Sequence, residues 1–260
     1  MSLTSLIVVS VCLIVGLQFL SSGDLVDPEL VNDHDPVNVF PDFTSIQSVA
    51  VRKQQFLDYL QDYIVAENTT IAALRKELES YADISNSGLT FSPRERHWVL
   101  SLAEAYRIEL SQFGSDNDII DELNLRVDVI PVSLALAQAA NESAWGTSRF
   151  ALEGNNVFGQ WCYKKGCGIV PAERRSGATH EVKSFTSVEQ SVQAYILNIN
   201  SHPSYRYLRE VRAVMRERQG RLDPMGLAYG LDRYSERGNN YVDEVRSIII
   251  QNNLRLRDEG

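Results

Sequence analysis

Apolar and polar positions divide the chain into an uncharged head, a polar stretch and a long series of amphipathic segments. Residues 3–20 carry no charge and are mostly apolar. That length falls between a signal-peptide core and a short transmembrane helix, so residues 1–22 are expected to be a signal anchor or a cleaved signal peptide. Residues 23–45 are polar and contain Pro28, Pro36 and Pro41, as a linker would. From 49 to 66, Val51, Phe56, Leu57, Leu60, Tyr63 and Ile64 recur at spacings near three and four, which predicts a helix with one buried face. Asn68-Thr69-Thr70 reads as the cap of a second helix whose stripe is Ile71, Leu74, Leu78 and Tyr81. Ser92-Pro93-Arg94-Glu95 joins a capping residue, a proline at the first helical position and an acid in the first turn, so another helix starts there.

The pattern changes in the second half. Pro131 opens an alanine-rich helix over 132–145 that is apolar nearly all round, as expected of a helix buried at the centre of its domain. Gly146 ends it, and Thr147-Ser148 caps the next. Residues 155–185 lose the helical period and gain Gly, Pro and aromatics, while 180–185 alternate as a strand does. Helical pattern resumes at 187–198, 205–216 and 241–254. The reading is a mainly α chain: a helical N-terminal region over 46–125, then a domain over 126–256 with a small β-hairpin lobe.

Composition narrows the function. With 44% hydrophobic residues the chain can bury a core, and its net charge of −9 argues against a nucleic-acid binder, which needs a basic excess. Of three cysteines, Cys12 lies in the apolar head, leaving Cys162 and Cys167. Outside the cytoplasm such a pair closes a small disulfide loop, with two free thiols as the alternative. The four histidines are scattered and no second cysteine pair exists, so neither a metal site nor any cofactor is expected. A serine-hydrolase elbow, a phosphate loop and a zinc-protease helix are all missing from the sequence.

The chemistry concentrates at Glu142, the one ionisable residue of the apolar helix. Desolvation and the negative end of a helix dipole both disfavour an ionised carboxyl there, and a carboxyl kept protonated can serve as a general acid. Trp145, three residues on, would share its face. A buried ion pair with Arg149 is the competing reading.

The run Ala137-Gln138-Ala139-Ala140-Asn141-Glu142-Ser143-Ala144-Trp145-Gly146-Thr147-Ser148, followed by Asn155-Asn156-Val157-Phe158-Gly159, resembles the signature of the peptidoglycan glucosaminidases, and the layout of the whole chain resembles the Bax-type proteins among them. The resemblance implies a lysozyme-like fold and hydrolysis of the β-1,4 bond after N-acetylglucosamine. It assigns Glu142 as the acid, Glu181 as the second carboxylate with Glu173 in reserve, and Tyr234 as a residue lining the cleft. Glycoside hydrolysis generally takes two carboxyls, unless a 2-acetamido group supplies the nucleophile. Trp145, Asn156, Phe158 and Trp161 are candidates for sugar contacts, with core packing as the alternative. The arginine run Arg206, Arg209, Arg212, Arg216, Arg218 and Arg221 reads as a solvated helix face, or else as attraction to an anionic wall polymer. A lytic transglycosylase and a non-catalytic wall-binding scaffold remain the rival functions. The expected partners are peptidoglycan strands and, through the N-terminal segment, a membrane. The expected place is the cell envelope, on the periplasmic face of the inner membrane or free in the periplasm.

Overall fold

The computed structural model describes residues 40–259, apart from 88, 89, 173, 175 and 176. The apolar head and most of the linker therefore lie outside the described residues, and among those described no helix is long and apolar enough to cross a membrane. The fold is mainly helical with one small antiparallel sheet.

Helix α1 (Val49–Asn86) is one continuous rod of 38 residues, about 57 Å long at 1.5 Å per residue. This corrects the expected break at Asn68. Instead of capping a helix, the Asn68 amide donates to the Ile130 carbonyl (2.8 Å) and accepts from the Ile130 N–H (3.1 Å). Thr69 donates back to Val65 within the helix. A polar group that finds a tertiary partner has no need to compete for its own backbone. Helix α2 (Pro93–Ala105) begins as the sequence predicts, with Ser92 and Glu95 forming a reciprocal capping box. Helix α3 (Asp116–Arg126) follows, capped by Ser115.

Helix α4 (Val132–Glu142) lies in the middle of the molecule, packed against α1, α9 (Asn239–Gln251) and the 3₁₀ turn Leu254–Asp258. Its residues from Val132 to Ala140 are all buried. Pro131 offers no side-chain cap, and Asp258 supplies one from the far end of the chain, accepting from the Ser133 N–H at 2.8 Å and the Ser133 hydroxyl at 2.6 Å. An otherwise orphaned helix donor is thereby satisfied. After α5 (Arg149–Gly154) come the strands β1 (Trp161–Cys162), β2 (Gly168–Ile169) and β3 (Glu181–Lys183), with β3 central and antiparallel to both neighbours. The register sets Trp161 and Ile169 opposite Val182, and Cys162 opposite Glu181. Helices α6 (Val188–Ser201), α7 (Arg206–Gln219) and the short α8 (Pro224–Leu227) complete the chain before α9.

The arginine run of α7 is only partly a solvated face. Arg209 and Arg212 are buried, and for Arg212 the reason is a node around the equally buried Asp128, in the loop between α3 and α4. Arg212 donates to the carbonyls of Leu125, Arg126, Asp128 and Val129 and to the Asn200 side chain. Arg216 makes a two-pronged contact with the Asp128 carboxylate at 2.8 and 3.2 Å, and Arg75 of α1 lies 3.6 Å away. Arg209 holds the carbonyls of Ile199 and His202. These arginines join α1, α6 and α7 to the segment leading into α4, so the structure gives them an internal purpose rather than a polymer-facing one.

Cys162 and Cys167 are linked. Non-reducing alkylation mass spectrometry of protein folded under oxidising conditions should find both thiols protected. Replacing both by serine should cost about 2 kcal/mol, because a short loop constrains the unfolded chain only modestly. Recovery of both thiols as alkylated species would refute the link.

Candidate active site

Glu142 is the last residue of α4. Immediately beyond it the chain turns in a left-handed run, with φ of 50° at Ala144, 60° at Trp145 and 76° at Gly146. Only glycine fits at 146, since a Cβ there would come within 2.6 Å of the Phe43 ring and 2.7 Å of Phe56. Ser143 holds the turn, donating to the Ala139 carbonyl and accepting from the Gly146 N–H. Two non-glycine residues kept in this region store strain of about 1–3 kcal/mol each, next to the acid.

The turn removes Trp145 from the helical face that spacing alone assigned to it. Its ring instead packs edge-on to Phe56 at 6.2 Å, with the Lys53 ammonium 4.3 Å from its centroid. Arg149, the alternative ion-pair partner of Glu142, donates to the Val170 carbonyl.

The carboxyl of Glu142 is largely enclosed. Its Oε1 is buried without a hydrogen-bond partner among the described residues, a rare condition for a polar atom and one that calls for an explanation. Oε2 faces the backbone of Gly159, where a Cβ would sit 3.1 Å from it. With φ at +65°, position 159 takes glycine on both counts. Burial pushes the Glu142 carboxyl above its ordinary range, against the opposing pull of the Tyr241 hydroxyl, the Arg237 charge and Asn141. Arg237 is itself paired with Glu244 and lies over the Tyr241 ring.

Behind the acid runs a buried relay that the sequence reading missed. The Tyr195 hydroxyl donates to Gln138 Oε1 at 2.6 Å, and Gln138 Nε2 donates to the Tyr241 oxygen at 2.9 Å. With its oxygen accepting from Gln138, Tyr241 keeps its own proton for Glu142. Burial and the Glu142 charge both raise the Tyr241 hydroxyl, so it remains a donor. A sign was present in the sequence: Gln138 stands four residues before Glu142, on the same face of an otherwise apolar helix.

Several residues expected at the sugar serve as scaffold. Asn156 is buried, holding the carbonyls of Gln160 and Lys183 and the Gln160 N–H. Phe158 is buried and stacked on Tyr195 at 3.8 Å. Tyr234 gives its hydroxyl to the Phe158 carbonyl (2.8 Å) and stacks on Tyr241; Tyr241 is the tyrosine that meets the acid. Glu181 is buried in the sheet and accepts from the N–H groups of Gly166 (3.0 Å) and Gly168 (2.9 Å), bonds that hold its carboxyl below the usual range. Glu173, the reserve, lies outside the described residues. Trp161 remains 52% exposed, stacked on His180 at 4.1 Å, and so offers a ring to a ligand. The sulfurs of Cys162 and Cys167 and the Glu181 carboxylate converge within 4.8 Å, but with the sulfurs joined as a disulfide they are not a ligand set.

A family described as mannosyl-glycoprotein endo-beta-N-acetylglucosaminidase, the Glucosaminidase family, matches residues 117–254. Protein bax of Escherichia coli strain K12 is 34% identical over 217 residues, covering 83% of this chain and 75% of its own. Among solved structures, the catalytic domain of the autolysin Auto from Listeria monocytogenes aligns at 19% identity with a TM-score of 0.38, over 69% of this chain and 97% of that one.

Proposed function

The chain belongs to the glucosaminidase family, and on that premise we propose that it is a glycoside hydrolase of lysozyme-like fold, cutting the β-1,4 bond after N-acetylglucosamine in peptidoglycan. The observation that carries this reading is the enclosed Glu142 carboxyl, with one oxygen buried and unpartnered and its pKa raised by burial. In this reading Glu142 protonates the leaving glycosidic oxygen as the bond to the anomeric carbon breaks. Water completes the reaction by adding its oxygen to that carbon and returning a proton. Tyr241, backed by Gln138 and Tyr195, orients the carboxyl. We further propose, from the uncharged apolar run over residues 3–20, that the protein works in the cell envelope, held by an anchor or delivered by an export signal.

Mass spectrometry of the muropeptides released by the purified protein tests the reaction. Hydrolysis predicts reducing N-acetylglucosamine ends. Anhydro ends would make the protein a lytic transglycosylase, and no release at all would leave only the scaffold reading.

The second carboxylate is open to a direct comparison. Because both Glu181 oxygens hold the loop that follows β1, Glu181→Gln is expected to loosen that loop and reduce turnover only mildly, whereas Glu173→Gln should lower turnover by about tenfold or more if it stabilises charge on the sugar. Turnover and binding of one defined fragment by the two variants side by side decide it. A large loss of turnover in Glu181→Gln with binding intact would return the role to Glu181, and near-normal turnover in both would leave Glu142 as the sole carboxylate, with the substrate's acetamido group as nucleophile.

A further inference from the structure

The loop between the two cysteines is unusually well fixed for its length. The disulfide closes it, the Cys167 N–H donates to the Lys164 carbonyl at 3.0 Å, and the buried Glu181 carboxylate takes the N–H groups of Gly166 and Gly168 from beneath. Both oxygens of the Glu181 carboxylate are thus taken up by backbone donors. Above this base the loop displays Tyr163, 71% exposed, with Lys164 and Lys165 also exposed. Neither ammonium is paired with a carboxylate among the described residues.

Its location gives this display a use. Gly159 lies beside the Glu142 carboxyl, close enough that an added Cβ would come within 3.1 Å of Oε2; β1 starts two residues later with the exposed Trp161, and the loop continues from β1. Five peptide links join Gly159 to Lys164, so the Cα atoms of these two residues lie at most about 18 Å apart even along a fully extended chain. The chain carries a net charge of −9, which at long range disfavours the approach of an anionic polymer. A fixed pair of cations on the segment that follows Gly159 gives such a polymer a favourable point of contact, and fixing the loop in advance lowers the ordering cost of binding.

We propose that the disulfide-closed loop 162–167 is a recognition element for the carboxylates of the peptide stems on the glycan strand, with Lys164 and Lys165 as the cationic contacts. The inference rests on the peptidoglycan reading and names the part of the substrate that the loop reads.

The test uses two matched soluble peptidoglycan fragments, one with free stem carboxylates and one with those carboxylates amidated. Their binding is measured in a Glu142→Gln background, alone and combined with Lys164→Gln/Lys165→Gln or with Cys162→Ser/Cys167→Ser. The expected result is about tenfold tighter binding of the free acid, a difference that shrinks with added salt, vanishes in the lysine variant and is reduced in the cysteine variant. Equal preference with and without the lysines, or no preference in the parent, overturns the inference. Turnover of both fragments by the wild-type protein is scored separately. Failure to cleave either one overturns the hydrolase reading, while the binding comparison still judges the loop.

Discussion

Glu142→Gln is expected to lower the release of soluble muropeptides by about 10²–10⁴-fold, the usual effect of removing a general acid, with the fold intact. Glutamine preserves the shape of the side chain and removes the proton. The variant should also unfold at the wild-type temperature or slightly above it. A carboxyl whose folded pKa is raised loses stability as pH climbs from its unfolded value through the folded one, and the amide does not titrate. The same upward shift sets the sign of the pH profile. Glu142 acts in its protonated form, so wild-type turnover should persist above the ordinary glutamate range and fall as pH passes through the raised value. Zymogram clearing by Glu142→Gln at the wild-type level, with matched protein and unchanged circular dichroism, would overturn the assignment.

The largest expected effect on stability lies away from the acid, at Asp128. Asp128→Ala leaves the fully enclosed Arg212 guanidinium without its counter-charge, and breaking a buried pair from one side costs about 3–5 kcal/mol. For a chain of this size that is a drop of roughly 10 °C in the thermal midpoint. Adding Arg212→Met should recover part of the loss, because removing both partners is milder than orphaning one. Burial works to raise the Asp128 carboxyl, but the Arg216 hydrogen bonds and the Arg212 and Arg75 charges outweigh it and hold the group below its ordinary value. Its contribution is therefore present above the ordinary aspartate range and lost as pH falls through the lowered value. Thermal melts of wild type and Asp128→Asn across acidic pH should converge at the acid end. An unchanged midpoint for Asp128→Ala would refute the node's role.

Features that depend on neighbours in sequence were legible in it. The capping box at Ser92 and Glu95 uses residues three apart, the burial of α4 follows from its apolar run, and the sheet is foreshadowed by alternation up to Phe185. Glu142 stood out because no other ionisable side chain shares its helix. What escaped depends on partners far away in the chain. The Asn68 amide turns from capping to clamping because Ile130 is 62 residues distant. Arg209 and Arg212 looked solvated because charge is normally a surface mark, and only the carbonyls of Ile199 and His202 for the one and those around Asp128 for the other reverse that. Tyr241 lies too far from Glu142 for any local pattern to pair them. Trp145 was misplaced because a helical period cannot foresee the left-handed turn that ends the helix.

The cap that Asp258 places on α4 gives the fold an order in time. A chain emerging from synthesis or passing through an export channel presents 132–142 well before 239–258. Until that later stretch arrives, the acid's helix has no side-chain cap and its carboxyl lacks the Tyr241 hydroxyl. A nascent chain is thus without its finished acid, and under the proposed hydrolase reading the acid is complete only once residues 239–258 have emerged and folded.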